Sequence, residues 1–513
     1  MAVRLSGMAS GMDTETMVQE LMKAQRMKST KLEGKKVKLE WKQEKWQELN
    51  KKLYSFYTGP LTNMRMQGSY SIRSAVSTDS NKVKVTAGNG AVVGSHQIKV
   101  DEVATAQYVT GAELKGLTDT NGNPLVVTRN TTMEELGAIT ASGDKKISIN
   151  GQDITVTKDT KVSELEALMM TKGINATFDK VQKRFFLSSK TSGTAGAFSL
   201  DAGSDVDLSK LGLGTIVKNG STNETNIGAS ANTGMRLASA QNAKFEYNGA
   251  EMTATSNTVT VNGLTFELLG KTGSEAVNIN VKNDTQAVYD KIKAFVKGYN
   301  EILTSLNEMY NAPASKGYNP LTDEEKEAMS EKEIEKWETK IKTSLFRREE
   351  GIGSLINRMR ADINVSVEVN GKKYGLASFG VKGTDYTEKG LLHIAGDKED
   401  STVADKTNDL MKALEENPEA VMTVFSKFAE NLYSSYADSM GKSSTLRSAL
   451  TFYNDKEMKK QVEDYNDKLK IMEEKLTDIE NRYYKQFTAM ERAMANMNSQ
   501  SNSLAAMLGT GQK

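Results

Sequence analysis

The sequence predicts a multidomain α+β protein, with terminal coiled-coil or bundle helices, a helical domain, and nested antiparallel β-rich domains inserted between them. Three observations predict it. Both ends carry apolar residues at alternating steps of three and four, the pattern of an amphipathic helix. Between roughly residues 71 and 282 the period changes to two, that of a strand. Asn-Gly pairs punctuate this middle at Asn89-Gly90, Asn121-Gly122, Asn150-Gly151, Asn219-Gly220, Asn248-Gly249 and Asn262-Gly263. Such pairs favour the type I′ hairpin turn, because both central residues must take positive φ.

The first helix is expected over residues 13–57, a stretch without Pro in which Gly34 is the one glycine before the end. Asp13 or Thr14 would cap it, with Met17 and Val18 opening the apolar face. Its ladder runs Val18, Leu21, Gln25, Lys28, Leu32, Lys35, Leu39, Lys42, Trp46, Leu49, Leu53 and Phe56. The polar rungs cluster at Gln25, Lys28, Lys35 and Lys42, so that part of the seam is expected to pair weakly.

The C-terminal ladder is cleaner. Val462, Tyr465, Leu469, Met472, Leu476, Ile479 and Tyr483 alternate three and four. Two steps of four pass through Phe487, and the ladder resumes at Met490, Met494, Met497, Leu504 and Leu508. The extra residue is a stutter, which locally unwinds a left-handed supercoil. A coiled coil or long bundle helix follows. Ordering its backbone costs as much as its seam returns, so it needs a partner, and the extreme ends are expected to be mobile until assembly.

In the middle, strands are expected over 82–86, 96–100, 153–157, 176–179, 185–188, 244–247, 258–261, 265–268 and 277–281, with a short helix over 161–171. Residues 203–230 are rich in Gly, Ser, Asn and Thr and read as loop and domain edge. An outer β-domain inserted into an inner one made of two pieces fits this order.

Helix returns after residue 284, with Val288, Ile292, Phe295, Tyr299, Ile302, Leu306 and Met309 on one stripe. Thr322 with Glu325, and Ser330 with Glu333, fit capping boxes; the second opens a helix bearing Ile334, Trp337 and Ile341. Asn417-Pro418 fits an N-cap and first-turn proline for a helix with Val421, Val424, Phe425 and Phe428. A strand pair is expected around Asn370-Gly371. The domains are therefore nested. Residues 1–40 and 442–513 form a terminal coiled-coil leg. Residues 41–70 and 284–441 form a helical domain, 71–110 and 231–283 an inner β-domain, and 111–230 an outer one.

Composition excludes several functions. Lys and Arg number 67 against 66 acids, so the basic excess of a nucleic-acid binder is missing. Without cysteine, disulfides, thiolate catalysis and Cys-bound zinc drop out. His96 and His393 are the two histidines, too far apart in sequence to suggest a metal site or triad. Residues 1–13 lack the apolar core of a cleavable secretory signal, and no apolar run reaches membrane-spanning length. Gly88-x-Gly90-x-x-x-Gly94 has the wrong spacing for a dinucleotide fingerprint and lies between two strands, which favours a hairpin. Gly270-Lys271-Thr272 and Gly441-Lys442-Ser443 lack the upstream glycine of a P-loop. Asp201, Asp205 and Asp207 lack the closing residues of a calcium loop. No catalytic residues, no metal ligands and no cofactor are assigned. The 25 methionines, among them Met8, Met12, Met17, Met22, Met490, Met494, Met497 and Met507, suit either ordinary seam packing or an adaptable contact surface.

Several segments resemble one family. Residues 5–13, Leu-Ser-Gly-Met-Ala-Ser-Gly-Met-Asp, followed by Met17-Val-Gln-Glu-Leu-Met22, resemble the opening of the flagellar hook-associated protein 2 family, the filament caps. Residues 483–494, then 497–501 and Leu504, are similar to its closing helix. Residues 295–303 resemble its central helix, and 376–381, 390–392 and 417–421 a later segment. Residues 147–189 resemble the flagellin hook IN module.

The resemblance implies a structural and assembly protein, not an enzyme: a ring, often a pentamer, on the distal tip of the flagellar filament. It would retain exported flagellin and promote its folding and insertion. It implies extracellular placement through the flagellar type III export apparatus, without a cleaved signal. The implied partners are other copies of the chain, flagellin, hook-filament junction proteins before filament growth, and an export chaperone. No nucleic acid and no membrane insertion are expected. Filament and self-assembly contacts are expected at Leu5, Met8, Met12, Val18, Leu21, Leu32 and Leu39, and at Leu469, Met472, Leu476, Ile479, Tyr483, Phe487, Met490, Met494, Met497, Leu504 and Leu508. The rival readings are another axial flagellar part and an adhesin whose outer β-domain binds host mucin or glycan.

Overall fold

The computed structural model describes residues 13–118, 122–220, 222, 224–228, 234–383, 385–441 and 443–509. The chain divides into two compact units: one built from residues up to Tyr70 and from Thr285 onward, the other from Ser71–Asp284. The first unit is helical. It opens with α1 (Thr14–Phe56), capped by Asp13, whose side chain accepts from the Thr16 N–H at 3.1 Å. A π-helical turn, Tyr57–Leu61, follows and contains Pro60. Proline has no N–H to give the ladder, and widening to a π turn absorbs the defect. A single turn, α2 (Thr62–Arg65), completes this strand of the chain.

The second unit is β-rich and holds β1 (Arg73–Ser77), β2 (Val83–Ala87), β3 (Gly94–Glu102), β4 (Tyr108–Thr110), β5 (Lys145–Ile149) and β6 (Gln152–Val156). Helix α3 (Val162–Thr171) precedes β7 (Ile174–Asp179), β8 (Arg184–Ser189), β9 (Leu200–Asp201), β10 (Ile216–Lys218), β11 (Thr225–Ile227) and β12 (Arg236–Ala238). The unit closes with β13 (Ala243–Tyr247), β14 (Ala250–Ala254), β15 (Thr258–Val261), β16 (Leu264–Leu268) and β17 (Val277–Asn283). Two antiparallel sheets, β1-β17-β3-β13-β14 and β15-β16-β2, enclose a core around Ile98, Val100, Phe245, Phe266 and Ile279. Two further sheets, β11-β10-β9-β5-β6 and β12-β4-β8-β7, with α3, enclose a second core around Ile147, Leu165, Phe185, Leu187 and Phe198.

The nine expected strands all form, each within a few residues of its expected bounds. The Asn-Gly turns sort by geometry. Asn150-Gly151, Asn248-Gly249 and Asn262-Gly263 have φ of 52° and 74°, 49° and 81°, and 50° and 77°, and each joins paired strands. Asn89-Gly90 does not make the expected hairpin. The strands on either side, β2 and β3, belong to different sheets, and the Gly88 N–H pairs instead with the Gly263 carbonyl at 2.8 Å. Asn219-Gly220 begins a longer β10–β11 connection in which the Asn219 N–H meets the Glu224 carbonyl at 2.8 Å. Asn121 lies outside the described residues.

Residues 203–230 also depart from the expectation of a loop. Leu208, Leu211, Leu213 and Ile216 are buried in the second core, and β10 and β11 form an edge of its sheet. The polar majority masks four apolar side chains whose spacing points them to one interior.

Backbone and side-chain hydrogen bonds fix the segments that link the two β cores. Thr105 and Gln241 exchange N–H···O bonds of 2.9 and 3.2 Å. The buried Gln107 amide acts as a surrogate strand, accepting from the Phe198 N–H at 2.7 Å and donating to the Phe198 carbonyl at 3.1 Å. Asn257 does the same to Ala104, at 2.7 and 2.9 Å. Gly193, at φ 79°, lies so close to Thr255 that a Cβ would sit 2.4 Å from its carbonyl oxygen.

The chain returns to the helical unit with α4 (Thr285–Tyr310), α5 (Asp323–Glu327), α6 (Glu331–Ser344) and α7 (Glu350–Asp362). Then come β18 (Val367–Val369), β19 (Lys372–Tyr374), β20 (Val381–Lys382) and β21 (His393–Ile394). Helices α8 (Asp409–Glu416), α9 (Pro418–Ser439) and α10 (Asp455–Gly509) complete it. Both capping boxes form: Glu325 accepts from the Thr322 N–H at 2.8 Å, and Glu333 from the Ser330 N–H at 2.9 Å. Asn417 caps α9, accepting from the Ala420 N–H at 3.3 Å. The core packs Ile292, Phe295, Tyr299 and Leu306 of α4 against Met359 of α7 and Val424, Phe428 and Tyr436 of α9.

Candidate functional site

The two terminal helices are rooted in the helical unit before they pair. Trp46 stacks on Tyr453 at 5.4 Å and meets Phe346 at 4.7 Å. Asn50 clamps the segment before α10, accepting from the Phe452 N–H at 2.9 Å. Phe56 stacks on Phe295 at 5.7 Å, and Gly298 leaves it room, since a Cβ there would come within 3.1 Å of the ring. At the π turn, Tyr57 stacks on Tyr433 at 4.4 Å, and Arg65 lies over the same ring at 3.6 Å while holding Glu430 at 2.6 Å. Burial, reinforced by a hydrogen bond with Tyr433, pushes the Tyr57 hydroxyl up to about 12.

The start of α10 is clamped separately. The Ser448 N–H donates to Asp455 Oδ1 at 2.6 Å, Arg447 donates to Asn454 Oδ1 at 3.0 and 3.2 Å, and Arg447 also reaches the Ser439 carbonyl. Burial would raise the Asp455 carboxyl, but the Ser448 hydrogen bonds outweigh it and hold it below the ordinary value.

Helices α1 and α10 run antiparallel: Asn50 lies by Phe452, and Arg26 lies 4.0 Å from Glu480. Their apolar cluster is Val18, Met22 and Leu476, with Ile479, Tyr483, Tyr484 and Phe487 packed on it. Met22 takes the rung expected of Leu21, which is 42 % exposed. Four residues overshoot a helical turn by about 40° while three fall short by about 60°, so the step of four stays nearer the seam.

The remaining candidates spread along this pair. Leu32, Leu39, Leu469, Met472, Met490 and Met494 are half-buried. Met497 and Leu504 are 67 % and 61 % exposed. Leu508 falls in the last turns of α10. Leu5, Met8 and Met12 lie outside the described residues. Sequence reasoning missed Met22, Tyr484 and the Trp46–Tyr453 root; the apolar type of each was visible, but not its facing partner.

The polar rungs are not weak positions of this seam. Lys42 pairs with Glu349 at 2.6 Å, and Lys38 donates to the Tyr318 carbonyl and Asn319 Oδ1. Lys28 and Lys35 are exposed. Lys28, Lys31 and Lys35 precede Trp46, Leu49 and Leu53 by eighteen residues each, about five turns. They continue the face that is buried at the root, not the face that meets α10.

The other candidate chemistry resolves into structure. His96 is buried, with Nε2 bound to the Val92 carbonyl and Nδ1 to the Tyr247 hydroxyl, each at 2.9 Å. His393 lies between Asp400 at 2.5 Å and Glu388 at 3.2 Å. Asp201 and Asp207 accept from backbone N–H groups two residues on, at 3.1 and 3.0 Å, and so shape local turns. Among the described residues no group of three or more His, Cys, Asp or Glu could hold a metal ion, and no helix is long and apolar enough to cross a membrane.

Comparison with known proteins places this architecture. Residues 10–107 match the model of the flagellar hook-associated protein 2 N-terminus, and residues 240–499 that of its C-terminus. The flagellar hook-associated protein 2 of Halalkalibacterium halodurans is 28 % identical over 98 % of this chain and 99 % of its own length. The A-type flagellar hook-associated protein 2 of Pseudomonas aeruginosa is 26 % identical over 46 % of this chain and 48 % of its own. The D1-D2-D3 domains of the Escherichia coli flagellar cap protein FliD share the fold, with a TM-score of 0.50 at 18 % identity over 76 % of this chain and 96 % of that one. Together the two family models cover most of the helical unit and both ends of the β-rich one, and the chain belongs to the flagellar hook-associated protein 2 family.

Proposed function

We propose that this protein caps the distal end of the flagellar filament, retains exported flagellin there and promotes its folding and insertion. The observation that carries the reading is the long antiparallel pair of α1 and α10, rooted through Trp46 and Asn50 in a helical body, in a chain of this family. Such a pair is a leg: stiff along its axis and clamped where it meets the body.

The leg comprises residues 1–40 and 442–513 in this reading, carried by a helical domain of 41–70 and 284–441. The inner β-domain is 71–110 with 231–283, and the outer one 111–230, except that β4 and β12, inside the inner bounds, pair into the sheet of the outer core. Several copies form a ring, a pentamer in the simplest case. The candidate leg residues, from Val18 and Leu21 to Met497 and Leu504, supply its contacts with the filament and with other copies. The α10 turns past Met494, exposed on their seam side, order on assembly. Flagellin, hook-filament junction proteins and an export chaperone are the partners, and type III export carries the chain outside the cell. A mucin- or glycan-binding adhesin is not favoured, because the relatives are described as hook-associated proteins throughout.

Deleting the gene and assaying the medium for flagellin tests the reading. Abundant unpolymerised flagellin without filaments, rescued by the purified protein, is the expected outcome. Filaments of normal length in the deletion strain would overturn it.

A further inference from the structure

The helical unit sorts its surface charge. On α1, Lys28, Lys31 and Lys35 are exposed along one face, and none forms an ion pair among the described residues. This is the face that buries Trp46, Leu49 and Leu53 at the root. It therefore leaves the body as a bare basic stripe, turned away from the Val18–Met22 seam. Helices α5 and α6 are together net acidic, although Lys332 and Lys336 are also exposed on α6. Asp323, Glu324, Glu327, Glu331 and Glu335 are exposed there and also form no ion pair among the described residues. The neighbouring Glu325 and Glu333 are consumed by their capping boxes, so these five remain available.

We propose that the Lys28–Lys31–Lys35 stripe docks on the α5–α6 acidic ridge of a second copy of this chain. Charge complementarity selects that occupant. The whole chain carries 67 basic and 66 acidic residues, so the two patches are a separation of charge within a neutral molecule, not an excess of one sign. The patches lie on different elements, so the contact is heterologous: the stripe of one copy meets the ridge of the next. Contacts of that kind close into rings when the rotation permits. Isolated exposed pairs contribute little, but three lysines facing five carboxylates act together, fix register and speed encounter. The inference rests on the capping reading, which calls for an assembly of copies.

Charge reversal in the full-length protein tests it, read by sedimentation velocity across a concentration series at low and physiological salt. Two variants are made, K28E/K31E/K35E and E327K/E335K, the second leaving the first-turn acids Glu324 and Glu331 in place. Lys and Glu are both good helix formers, and the positions are exposed, so circular dichroism is expected to match wild type. Each variant alone is expected to associate at least about tenfold more weakly than wild type, with wild-type association itself weakening as salt rises. An equimolar mixture of the two variants regains association, because each then offers the other a complementary surface. Either variant associating like wild type, or a loss that mixing does not restore, would overturn the contact. A wild-type chain that stays monomeric also removes it. Failure of the capping reading shows separately, as normal filaments in the deletion strain.

Discussion

Glu166 on α3 is 1 % exposed, yet it carries a carboxylate into the second β core. Its Oε2 accepts from Arg129 at 2.5 and 2.9 Å, and its Oε1 from the Phe178 N–H at 2.5 Å. Arg129 is 63 % exposed, so solvent screens much of the ionic attraction. The buried N–H is the part that cannot be replaced by water. Glu166→Ala strands it and is expected to lower the stability of the β unit by about 2–3 kcal/mol. Glu166→Gln keeps an acceptor and is expected to cost about 1 kcal/mol. Urea unfolding of both variants measures the difference, and equal losses would show that the ion pair dominates.

Asp455 sets a pH dependence at the root of α10. Its carboxyl lies below the ordinary value of 3.8 in the folded chain, so the folded state binds its proton less readily than the unfolded chain does. The stabilisation it provides is present above that ordinary value and is lost as pH falls through the lower, folded one. Thermal unfolding of wild type and Asp455→Asn is therefore expected to differ at neutral pH and to converge in acid, as pH falls below the ordinary value and through the lower, folded one. A gap that persists unchanged in acid would assign the clamp to shape and not to charge.

At the scale of elements, the α1–α10 pair is long but sparsely sealed. Val18, Met22 and Leu476 are its buried apolar cluster, and many of the rungs beside them are half-buried. Leu476→Ala is expected to cost about 2 kcal/mol, which raises amide exchange about 30-fold. The increase should be confined to the paired stretches around Val18 and Leu476, with α4 and α9 unchanged. Uniform acceleration through the helical unit would mean that the leg and the body unfold as one. By the same geometry, leucine at Lys28 or Lys35 does not tighten the pairing with α10, because those positions belong to another face. The expectation of a weakened seam came from extending one ladder across a helix that changes partner along its length.

At the scale of the molecule, the β unit is a single insertion whose ends meet. Arg73 of β1 is the partner of Asn283 in β17, so the segment of residues 71–284 begins and ends side by side. The segment owns both of its hydrophobic cores and the sheets around them. It is expected to fold when expressed alone, giving a β-rich circular dichroism spectrum and a cooperative melt. A spectrum without a transition would show that the insertion depends on the helical unit for its stability.

Local chemistry explains which of these features the sequence by itself determined. The change of period from 3.6 to 2 and back marks helix, β and helix, because burial of one face depends on spacing alone. Asn150-Gly151, Asn248-Gly249 and Asn262-Gly263 make their turns because positive φ is a property of those two residues. The Thr322 and Ser330 capping boxes and the Asn417-Pro418 start close within a few residues of chain. Family membership was legible in the terminal motifs for the same reason, since they are contiguous.

Tertiary structure alone decided the rest. Asn89-Gly90 has the composition of a hairpin but joins strands of different sheets. Residues 203–230 look like a loop, yet Leu208, Leu211, Leu213 and Ile216 fill a core. Met22 and not Leu21 meets Leu476, and the lysines between them and Trp46 face elsewhere. In each case the outcome depends on which distant surface is opposite, and the spacing of the residues marks the face that is buried but not the partner that buries it.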